Sequence, residues 1–206
     1  MNTQLIHNIW CVGRNYADHA QEMKAEKPQK PFFFLKSGSC LETSSLIRLP
    51  KWSNNVHHEI EIAFWIDENL NFSHVTLALD LTARDRQAQA KEKGLPWTLA
   101  KSFQGACPLG TWISLQDGLM QNGLLPNFEL SLKKNQSIVQ KGRSQDMLFS
   151  APILLQEIKE FFPVQAHDVL LTGTPAGVGP LQPHDQLEAT LSSEGRTLLT
   201  CLWDVE

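Results

Sequence analysis

The most informative segment of this chain is His57-His58-Glu59-Ile60-Glu61-Ile62-Ala63-Phe64-Trp65-Ile66. Its apolar residues predict a buried β-strand, and the side chains of a strand point alternately to its two faces. Glu59 and Glu61 therefore share one face, where two like charges repel each other and lose hydration. A divalent cation is the simplest compensation for that cost. The alternative is an edge strand with a solvated acidic face, which the apolar continuation through Trp65 and Ile66 disfavours.

The composition is that of an ordinary globular protein. The chain has 206 residues, of which 42% are hydrophobic and 19% are charged, so one domain over residues 1–206 can bury a full core. The formal net charge is -4 and the basic residues form no cluster, which argues against a nucleic-acid partner. No apolar run is long enough to cross a bilayer, so we expect no membrane partner either.

The cysteines and the N-terminus bear on the location of the protein. Cys11, Cys40, Cys107 and Cys201 are scattered and form no C-x-x-C pair. That pattern fits a reducing compartment better than a disulfide framework or a zinc site. Residues 1–7 lack the charged and apolar regions of a signal peptide. We therefore expect a soluble, cytoplasmic protein.

A polar segment with helical spacing follows a short predicted strand that ends at Gly13. On this helix His19 and Glu22 stand at positions i and i+3, so they lie on one face within contact range. A carboxylate beside an imidazole fixes its tautomer and raises its basicity, which suits a general base. The alternative is an exposed pair on a surface helix, and for an isolated pair that alternative is the better interpretation.

A third carboxylate, Asp80, interrupts the apolar run of another predicted buried strand near its end. It lies between the end of that strand and the predicted start of a helix, which is a common place for a ligand-binding carboxylate. Without Glu59 and Glu61, a structural turn residue would be the better interpretation of Asp80. With them, a ligand is preferred.

The helix that follows is predicted to have Thr82 as its N-cap, with Asp85 reaching back to complete a capping box. It is predicted to end at Gly94, with lysines in its last turn, where the helix dipole favours cations. Arg84 and Gln87 share one face of this helix near its N-terminal end.

Two apolar segments lead to different predictions. Phe32, Phe33 and Phe34 belong to a predicted strand, and three consecutive phenylalanines indicate core rather than a binding surface. Lys101 is the one lysine in a largely apolar segment after Gly94. Such a lysine either snorkels to solvent or is aimed at an anion.

A glycine-rich loop, residues 172–179, follows a predicted strand in the last third of the chain. It is neither a Walker loop nor a Rossmann fingerprint. Its glycines would let backbone amides and the Thr174 hydroxyl approach a small anion closely. From the spacing alone, a tight structural loop is an equally good interpretation.

Five segments, in this order and over nearly the whole chain, resemble motifs of the fumarylacetoacetate hydrolase family, specifically its single-domain acylpyruvase-like and oxaloacetate decarboxylase-like members. Five ordered motifs are far more specific than any one of them. Two departures concern Lys36-Ser37-Gly38, where the family commonly has Lys-Pro, and residues 65–75, which are shorter than usual. The five segments are Gly13-Arg14-Asn15-Tyr16-Ala17-Asp18-His19, His57-His58-Glu59-Ile60-Glu61, Leu79-Asp80-Leu81-Thr82-Ala83-Arg84-Asp85, Pro96-Trp97-Thr98-Leu99-Ala100-Lys101-Ser102-Phe103 and Leu171-Thr172-Gly173-Thr174-Pro175-Ala176-Gly177-Val178-Gly179.

The resemblance implies an α+β, mainly β fold: a mixed β-sheet roll or partly open barrel with few helices, assembled as a homodimer. It also implies a Mg²⁺ or Mn²⁺ ion with Glu59, Glu61 and Asp80 as metal ligands. Three hard carboxylate oxygens suit either ion and leave coordination positions for water and substrate.

The resemblance assigns roles to six further residues. His19 would be the catalytic base and Glu22 its orienting carboxylate, on a segment that in the family closes over the substrate as a lid. Lys101 would hold developing negative charge. Pocket walls and lid residues, within residues 23–34, would select the acyl group. The residues that would contact the carboxylate end of a small-molecule keto-acid substrate are Arg84, Gln87 and Thr174.

The first activity that the resemblance implies is hydrolysis of a C–C bond in an acylpyruvate-type, 1,3-diketo acid substrate through a pyruvate enolate. The His19–Glu22 pair, which could activate water, places this reaction first. Oxaloacetate decarboxylation and keto–enol isomerisation, of the 2-hydroxyhepta-2,4-diene-1,7-dioate type, are alternatives on the same site. A non-catalytic protein that binds a small anion or a metal is the alternative from another class.

Overall fold

A computed structural model describes residues 6–23, 25–116, 118–120 and 122–206 of the chain. Residues 1–5 and Lys24, which belong to the N-terminal and lid segments considered above, lie outside the described residues. Strands dominate the fold. In chain order they are β1 (Asn8–Val12), β2 (Phe33–Ser37), β3 (Leu41–Glu42), β4 (Leu46–Ile47), β5 (Val56–His58), β6 (Ile60–Ile66), β7 (Phe72–Leu79), β8 (Thr82–Ala83), β9 (Cys107–Pro108), β10 (Ile113–Ser114), β11 (Phe128–Lys134), β12 (Ser137–Arg143), β13 (Val169–Leu171), β14 (Gly179–Pro180), β15 (Gln186–Ser193) and β16 (Arg196–Val205).

Helices are few and short, as the mainly β prediction requires. Two 3₁₀ turns accompany them at Gly38–Cys40 and Ser144–Asp146. The predicted α+β, mainly β fold is thereby confirmed. The α-helices of the described residues are α1 (Ala17–Glu22), α2 (Arg84–Lys93), α3 (Thr98–Lys101) and α4 (Ala151–Phe161).

Two large sheets form the body of the fold. One has six strands in the order β10-β7-β6-β13-β1-β2, and the other has five in the order β12-β11-β15-β16-β4. Two smaller sheets have the strand orders β14-β5-β8 and β3-β9. Within the described residues neither large sheet closes on itself, so the arrangement is open and not a barrel.

β6 lies at the centre of the six-stranded sheet, between β7 and β13. All seven of its residues are buried, so the edge-strand alternative is wrong. The ring of Phe64 packs toward the second sheet, where its centroid lies 6.1 Å from that of Phe128. Burial of one large apolar side chain contributes about 1.5–3 kcal/mol. The core between the sheets therefore holds β6, and with it Glu59 and Glu61, in a defined position.

The other face of the six-stranded sheet is covered by α4, which begins after Ser150 with a proline in its first turn. Strand side chains alternate between the two faces, as a period of two requires. On β13, Leu170 packs against α4, whereas Val169 and Leu171 face the main core. The sheet is therefore buried on both sides.

The predicted capping box at the start of α2 is wrong. The Thr82 hydroxyl donates to the carbonyl of Asp80 (3.0 Å) instead of capping the helix. Asp85 accepts a hydrogen bond from the Ser53 hydroxyl (2.6 Å). Thr82 belongs to β8, which pairs with β5, and this pairing takes the place of the cap. The end of α2 at Gly94, with φ 64°, agrees with the prediction.

The prediction that the three phenylalanines form core is wrong for Phe32. Phe32, Phe33 and Phe34 are each only partly buried. Phe33 packs against the α4 cluster and Phe34 against the main core, but Phe32 lines the cleft described below, and one side of Phe34 does so too. The reason is that β2 is the last strand of its sheet, so part of its surface remains uncovered.

The cysteines are all free, and all four are buried. They lie on β1, at the end of the first 3₁₀ turn, on β9 and on β16. No helix in the described part of the chain is long and apolar enough to cross a membrane.

Candidate functional site

Three buried carboxylates meet at one end of β6. Glu59 immediately precedes the strand, Glu61 is its second residue, and Asp80 immediately follows β7, the antiparallel neighbour of β6. The backbone N–H of Asp80 donates to the carbonyl of Glu59 (2.9 Å). One oxygen from each of the three carboxylates lies within 4.8 Å of the others. The structure thus brings together the three residues that we predict as metal ligands.

Two cations that line the cleft contact this cluster. Lys101, at the end of α3, donates to Glu59 Oε2 (2.9 Å) and to Asp80 Oδ2 (2.5 Å). Arg84, the first residue of α2, donates to Glu59 Oε1 and to Gln87 Oε1, the latter at 2.8 Å. Lys101 is buried, so of the two predicted possibilities it is aimed at anions and does not snorkel.

A third cation, Lys36, is absent from the residues predicted for the site. It is fully buried on β2, and its Nζ lies 2.8 Å from Asp80 Oδ1. The same Nζ donates to the carbonyls of Leu81 (3.2 Å), Ala106 (2.9 Å) and Lys101. The three N–H groups of the Lys36 ammonium are thus used by the three carbonyls. Its contact with Asp80 Oδ1 is therefore an ion pair without a hydrogen bond. The signal that could have revealed Lys36 is a lysine inside an apolar strand.

The carboxylates of the cluster differ in their electrostatic environment. Burial alone would raise the pKa of Glu59, but Lys101 and Arg84 outweigh burial and hold that pKa well below its ordinary value. Glu61 has no ion pair among the described residues. Burial, together with the charges of Asp80 and Glu59, raises the pKa of Glu61 well above its ordinary range. The unfavourable electrostatic free energy of the cluster therefore falls mainly on Glu61, because no cation among the described residues forms an ion pair with it.

The donor set fits a hard divalent cation. Mg²⁺ and Mn²⁺ prefer carboxylate oxygens, and three such groups converge here from two paired strands. Asp80 Oδ1 is buried and accepts no hydrogen bond from any described residue, although it forms an ion pair with Lys36. A cation held by Glu59, Glu61 and Asp80 would offset the repulsion at Glu61.

α1 carries the imidazole–carboxylate pair to the same cleft. His19 Nδ1 lies 3.2 Å from Glu22 Oε2. His19 is only 6% exposed, so the surface-pair alternative is wrong for the imidazole, whereas Glu22 is exposed. The Gly177 N–H donates to Glu22 Oε1 (3.1 Å) and ties α1 to the glycine-rich loop. A carboxylate beside Nδ1 favours the tautomer with a proton on that atom, which leaves Nε2 as the proton acceptor.

The glycine-rich loop binds carboxylates that belong to the protein itself. The Gly173 N–H donates to Glu61 Oε2 (2.6 Å). Gly173 has φ 90°, and a Cβ atom there would lie 2.7 Å from the Cβ of Asn15, so only glycine fits. The Thr174 hydroxyl lies on the cleft, donates to the carbonyl of Ile60 (2.8 Å) and accepts from Gln140. Its contact with a substrate stays a prediction.

Gln140, on β12, is a second residue that sequence reasoning missed. Its Oε1 accepts from the Ile60 N–H (3.1 Å) and faces His58 Nδ1 (2.9 Å). Its Nε2 donates to Thr174 Oγ1 and to the carbonyl of Pro175, each at 2.8 Å. Gln140 therefore fastens the five-stranded sheet to the start of β6. No sequence signal marks it, because its partners lie far away along the chain.

One cleft gathers eight of the nine predicted site residues, and Glu22 joins them through its bond to His19. The carboxylates and Lys101 form its buried end. Polar groups from several elements are directed into the cleft, as is usual at a site for a small polar molecule. The eight lining residues are His19, Glu59, Glu61, Asp80, Arg84, Gln87, Lys101 and Thr174.

Comparison with known proteins connects this arrangement to a family. The family model for the fumarylacetoacetate (FAA) hydrolase C-terminal region matches residues 8–201. The chain belongs to the fumarylacetoacetate hydrolase family. The match contains every predicted site residue, and it confirms the resemblance that the five motifs indicate.

Relatives within the family are similar over most of their length. The mitochondrial oxaloacetate tautomerase FAHD1 of Bos taurus is 38% identical over 196 residues, covering 88% of this chain and 86% of the relative. The mitochondrial oxaloacetate decarboxylase of Dictyostelium discoideum is 41% identical over 187 residues, covering 85% and 84%. The solved fumarylpyruvate hydrolase of Pseudomonas aeruginosa, in complex with Mn²⁺ and pyruvate, superimposes with a TM-score of 0.86 at 27% identity, covering 97% and 89% of the two chains.

Proposed function

We propose that this member of the family is a divalent-metal-dependent enzyme that interconverts the keto and enol forms of oxaloacetate. The observation that carries the proposal is the convergence, in one cleft, of three buried carboxylates, Lys101 and the His19–Glu22 pair. The curated relatives at 38% and 41% identity, both named for reactions of oxaloacetate, support it. These names favour the oxaloacetate alternatives over C–C hydrolysis, the reaction expected first.

The residues of the cleft divide the chemistry between them. A Mg²⁺ or Mn²⁺ ion held by the three carboxylates would supply Lewis-acid polarisation of an α-keto carboxylate. His19 Nε2 takes a proton from the carbon between the two carbonyl groups, and Glu22 holds the imidazole in the tautomer that can do so. Lys101 stabilises the negative charge that develops on the keto oxygen. Return of the proton to oxygen completes the enol. The residues that orient the substrate's carboxylate are Arg84 and Gln87.

Two other reactions pass through the enolate of pyruvate instead of the enolate of oxaloacetate. Decarboxylation of oxaloacetate produces it by loss of CO₂ and needs no proton abstraction, and the Dictyostelium relative supports this candidate. Hydrolysis of an acylpyruvate produces it after attack of a water activated by His19. The fumarylpyruvate hydrolase structure supports hydrolysis, at the lower identity of 27%.

The test is a set of parallel assays on Mg²⁺-loaded protein, with and without chelator. Enol decay of oxaloacetate reports tautomerisation, and pyruvate release from oxaloacetate or acetylpyruvate reports decarboxylation or hydrolysis. We expect chelator-sensitive enol decay that His19→Asn removes and the exposed control His7→Asn retains. Pyruvate release faster than enol decay would replace the proposal by a decarboxylase or a hydrolase, according to the substrate. Absence of all three activities would favour the binding-protein alternative.

We also propose that the protein is a cytoplasmic homodimer, as expected above. The family resemblance supports dimerisation, and so do large apolar side chains that remain exposed, such as Leu202 at 63% and Ile138 at 62%. Light scattering coupled to gel filtration should give the mass of two chains. A monomer mass at micromolar concentration would remove the dimer from the proposal.

A further inference from the structure

Four lysine and arginine side chains line the cleft, and they differ in what they contact. Arg84 and Lys101 are bonded to Glu59 at the buried end. Arg14 is partly buried and Lys91 is exposed, and the part of the cleft that these two line is called its open end. Neither Arg14 nor Lys91 has a carboxylate within ion-pair distance among the described residues. The open end of the cleft therefore presents two positive charges that the protein itself does not neutralise.

Both of these cations rest on aromatic rings. The Cζ of Arg14 lies 5.5 Å from the ring centroid of Phe32, and the Nζ of Lys91 lies 5.2 Å from that of Trp97. The two rings meet edge-on, with centroids 6.2 Å apart and an angle of 85° between their planes. An aromatic face attracts a cation and orients it without removing its charge. Arg14, Phe32, Trp97 and Lys91 are thus in contact in series and form one wall of the cleft. The two cations in this wall keep their charge and can bind an anion.

The backbone holds Arg14 in this wall. Its φ of 57° lies in the left-handed region, which is costly for a residue with a side chain. The next residue, Asn15, is fully buried and locks the turn through three hydrogen bonds of 2.8 Å to the Phe149 N–H and to the carbonyls of Phe149 and Thr172. The backbone position from which the Arg14 side chain extends is therefore set by the fold.

The two cations also affect each other. Desolvation of the ammonium group where it lies over Trp97, together with the charges of Arg84 and Arg14, lowers the pKa of Lys91. Repulsion of this kind is relieved when an anion binds between like charges. A carboxylate suits the position because the guanidinium group of arginine can bind it with two parallel hydrogen bonds.

We propose that Arg14 and Lys91 bind the distal carboxylate of a dicarboxylic keto acid whose α-keto carboxylate end lies at the metal ligands and Lys101. The inference rests on the proposed function and specifies the substrate class for the same site. The cleft selects a substrate with a negative charge at both ends, as in oxaloacetate. An acylpyruvate with an apolar end would leave both cations without a partner.

The experiment compares oxaloacetate with its 4-methyl ester, which keeps the keto–enol chemistry and lacks the distal charge. Arg14→Gln, Lys91→Gln and the double variant are assayed with Mg²⁺ on both substrates. The matched control is Lys93→Gln, an exposed lysine on the same helix that does not line the cleft. We expect each single variant to lower kcat/KM for oxaloacetate by about tenfold to a hundredfold, with little change for the ester.

The loss should fall mainly on KM, because a contact with the distal carboxylate is the same in the ground state and the transition state. Equal losses on both substrates, or full activity of the double variant on oxaloacetate, would overturn the inference. If the wild type turned over neither compound, the proposed function would fail, and binding would decide the inference separately. In that case, oxaloacetate should raise the melting temperature of the wild type more than its ester does, and the double variant should lose this difference. An equal rise with both compounds would overturn the inference.

Discussion

The Nζ of Lys36 lies 2.8 Å from Oδ1 of Asp80, and the two side chains are only 0% and 1% exposed. Burial alone would lower the pKa of this lysine, but the Asp80 carboxylate outweighs burial and raises it above the ordinary value. The lysine therefore stays charged in the interior. Lys36 pairs with Oδ1 of Asp80 on the interior side, and Lys101 contacts Oδ2 on the cleft side.

Replacing Lys36 with methionine should destabilise the fold by about 3–5 kcal/mol, because it leaves the buried Oδ1 of Asp80 without its ion-pair partner and Lys101 contacts only Oδ2. Urea unfolding in the presence of a chelator would measure the loss, since no added cation then competes for Asp80. The matched control is Lys133→Met: its pair with Glu188 has the same length, 2.8 Å, but the side chains are 39% and 43% exposed. That control should lose at most about 1 kcal/mol, and comparable losses for both variants would contradict the prediction.

Gly173 and Gly105 both have left-handed backbones, with φ of 90° and 73°, but differ in the space around them. A Cβ at Gly173 would lie 2.7 Å from that of Asn15, whereas nothing lies within 4 Å at Gly105. Gly105→Ala should lower the free energy of unfolding by about 1–2 kcal/mol, because only the left-handed backbone opposes the new side chain. Gly173→Ala should lower it by about 1–3 kcal/mol more, because the new Cβ also clashes with Asn15. Denaturant unfolding of both variants measures the difference, and equal losses would be inconsistent with the packing at Gly173.

Addition of Mg²⁺ or Mn²⁺ should raise the melting temperature, and a chelator should reverse the effect. At one hundred times the dissociation constant the stabilisation is about 2.7 kcal/mol. Glu61→Gln should lose most of this gain because it removes one of the three ligands, while the surface control Glu188→Gln should keep it. Without metal, Glu61→Gln should be neutral or stabilising, since burial and neighbouring carboxylates raise the pKa of Glu61 and so oppose its charge. Differential scanning fluorimetry measures all of these, and an equal metal-induced rise in Glu61→Gln and the wild type would rule out Glu61 as a ligand.

The stability of the fold should depend on pH through Asp185. Burial alone would raise the pKa of this carboxyl, but hydrogen bonds from the Gln182 N–H (2.8 Å) and the Asn135 side chain (2.7 Å) hold it below the ordinary value. A depressed folded-state pKa stabilises the fold above the unfolded pKa of about 3.9, and the contribution disappears as pH falls through the folded pKa. Asp185→Asn should therefore cost about 1–2 kcal/mol at neutral pH and progressively less in acid. Urea midpoints from pH 7 down to about pH 3 test this, and a constant difference would be the contrary result.

Sequence patterns succeeded where the cause is local. The i, i+3 spacing of His19 and Glu22 placed them in contact, and Gly94 ended its helix as predicted. The pattern failed where a distant partner decides the outcome. Thr82 pairs with β5 in a small sheet and does not cap α2. Phe32 immediately precedes β2, which is the edge strand of the six-stranded sheet, and Phe32 therefore remains uncovered and lines the cleft.

The chemically active groups of this protein can be identified from the order of its residues. Two carboxylates at strand spacing, a third at a strand end, and an imidazole one helical turn from a carboxylate follow from local geometry and are present in the structure. Which charges compensate one another depends on the packing of distant segments. Lys36 reaches Asp80 from another strand of the chain, and Arg14 and Lys91 come to one wall from a turn and a helix. The physical reason is that burial and charge pairing depend on which segments the sheets bring together, and no local pattern encodes that.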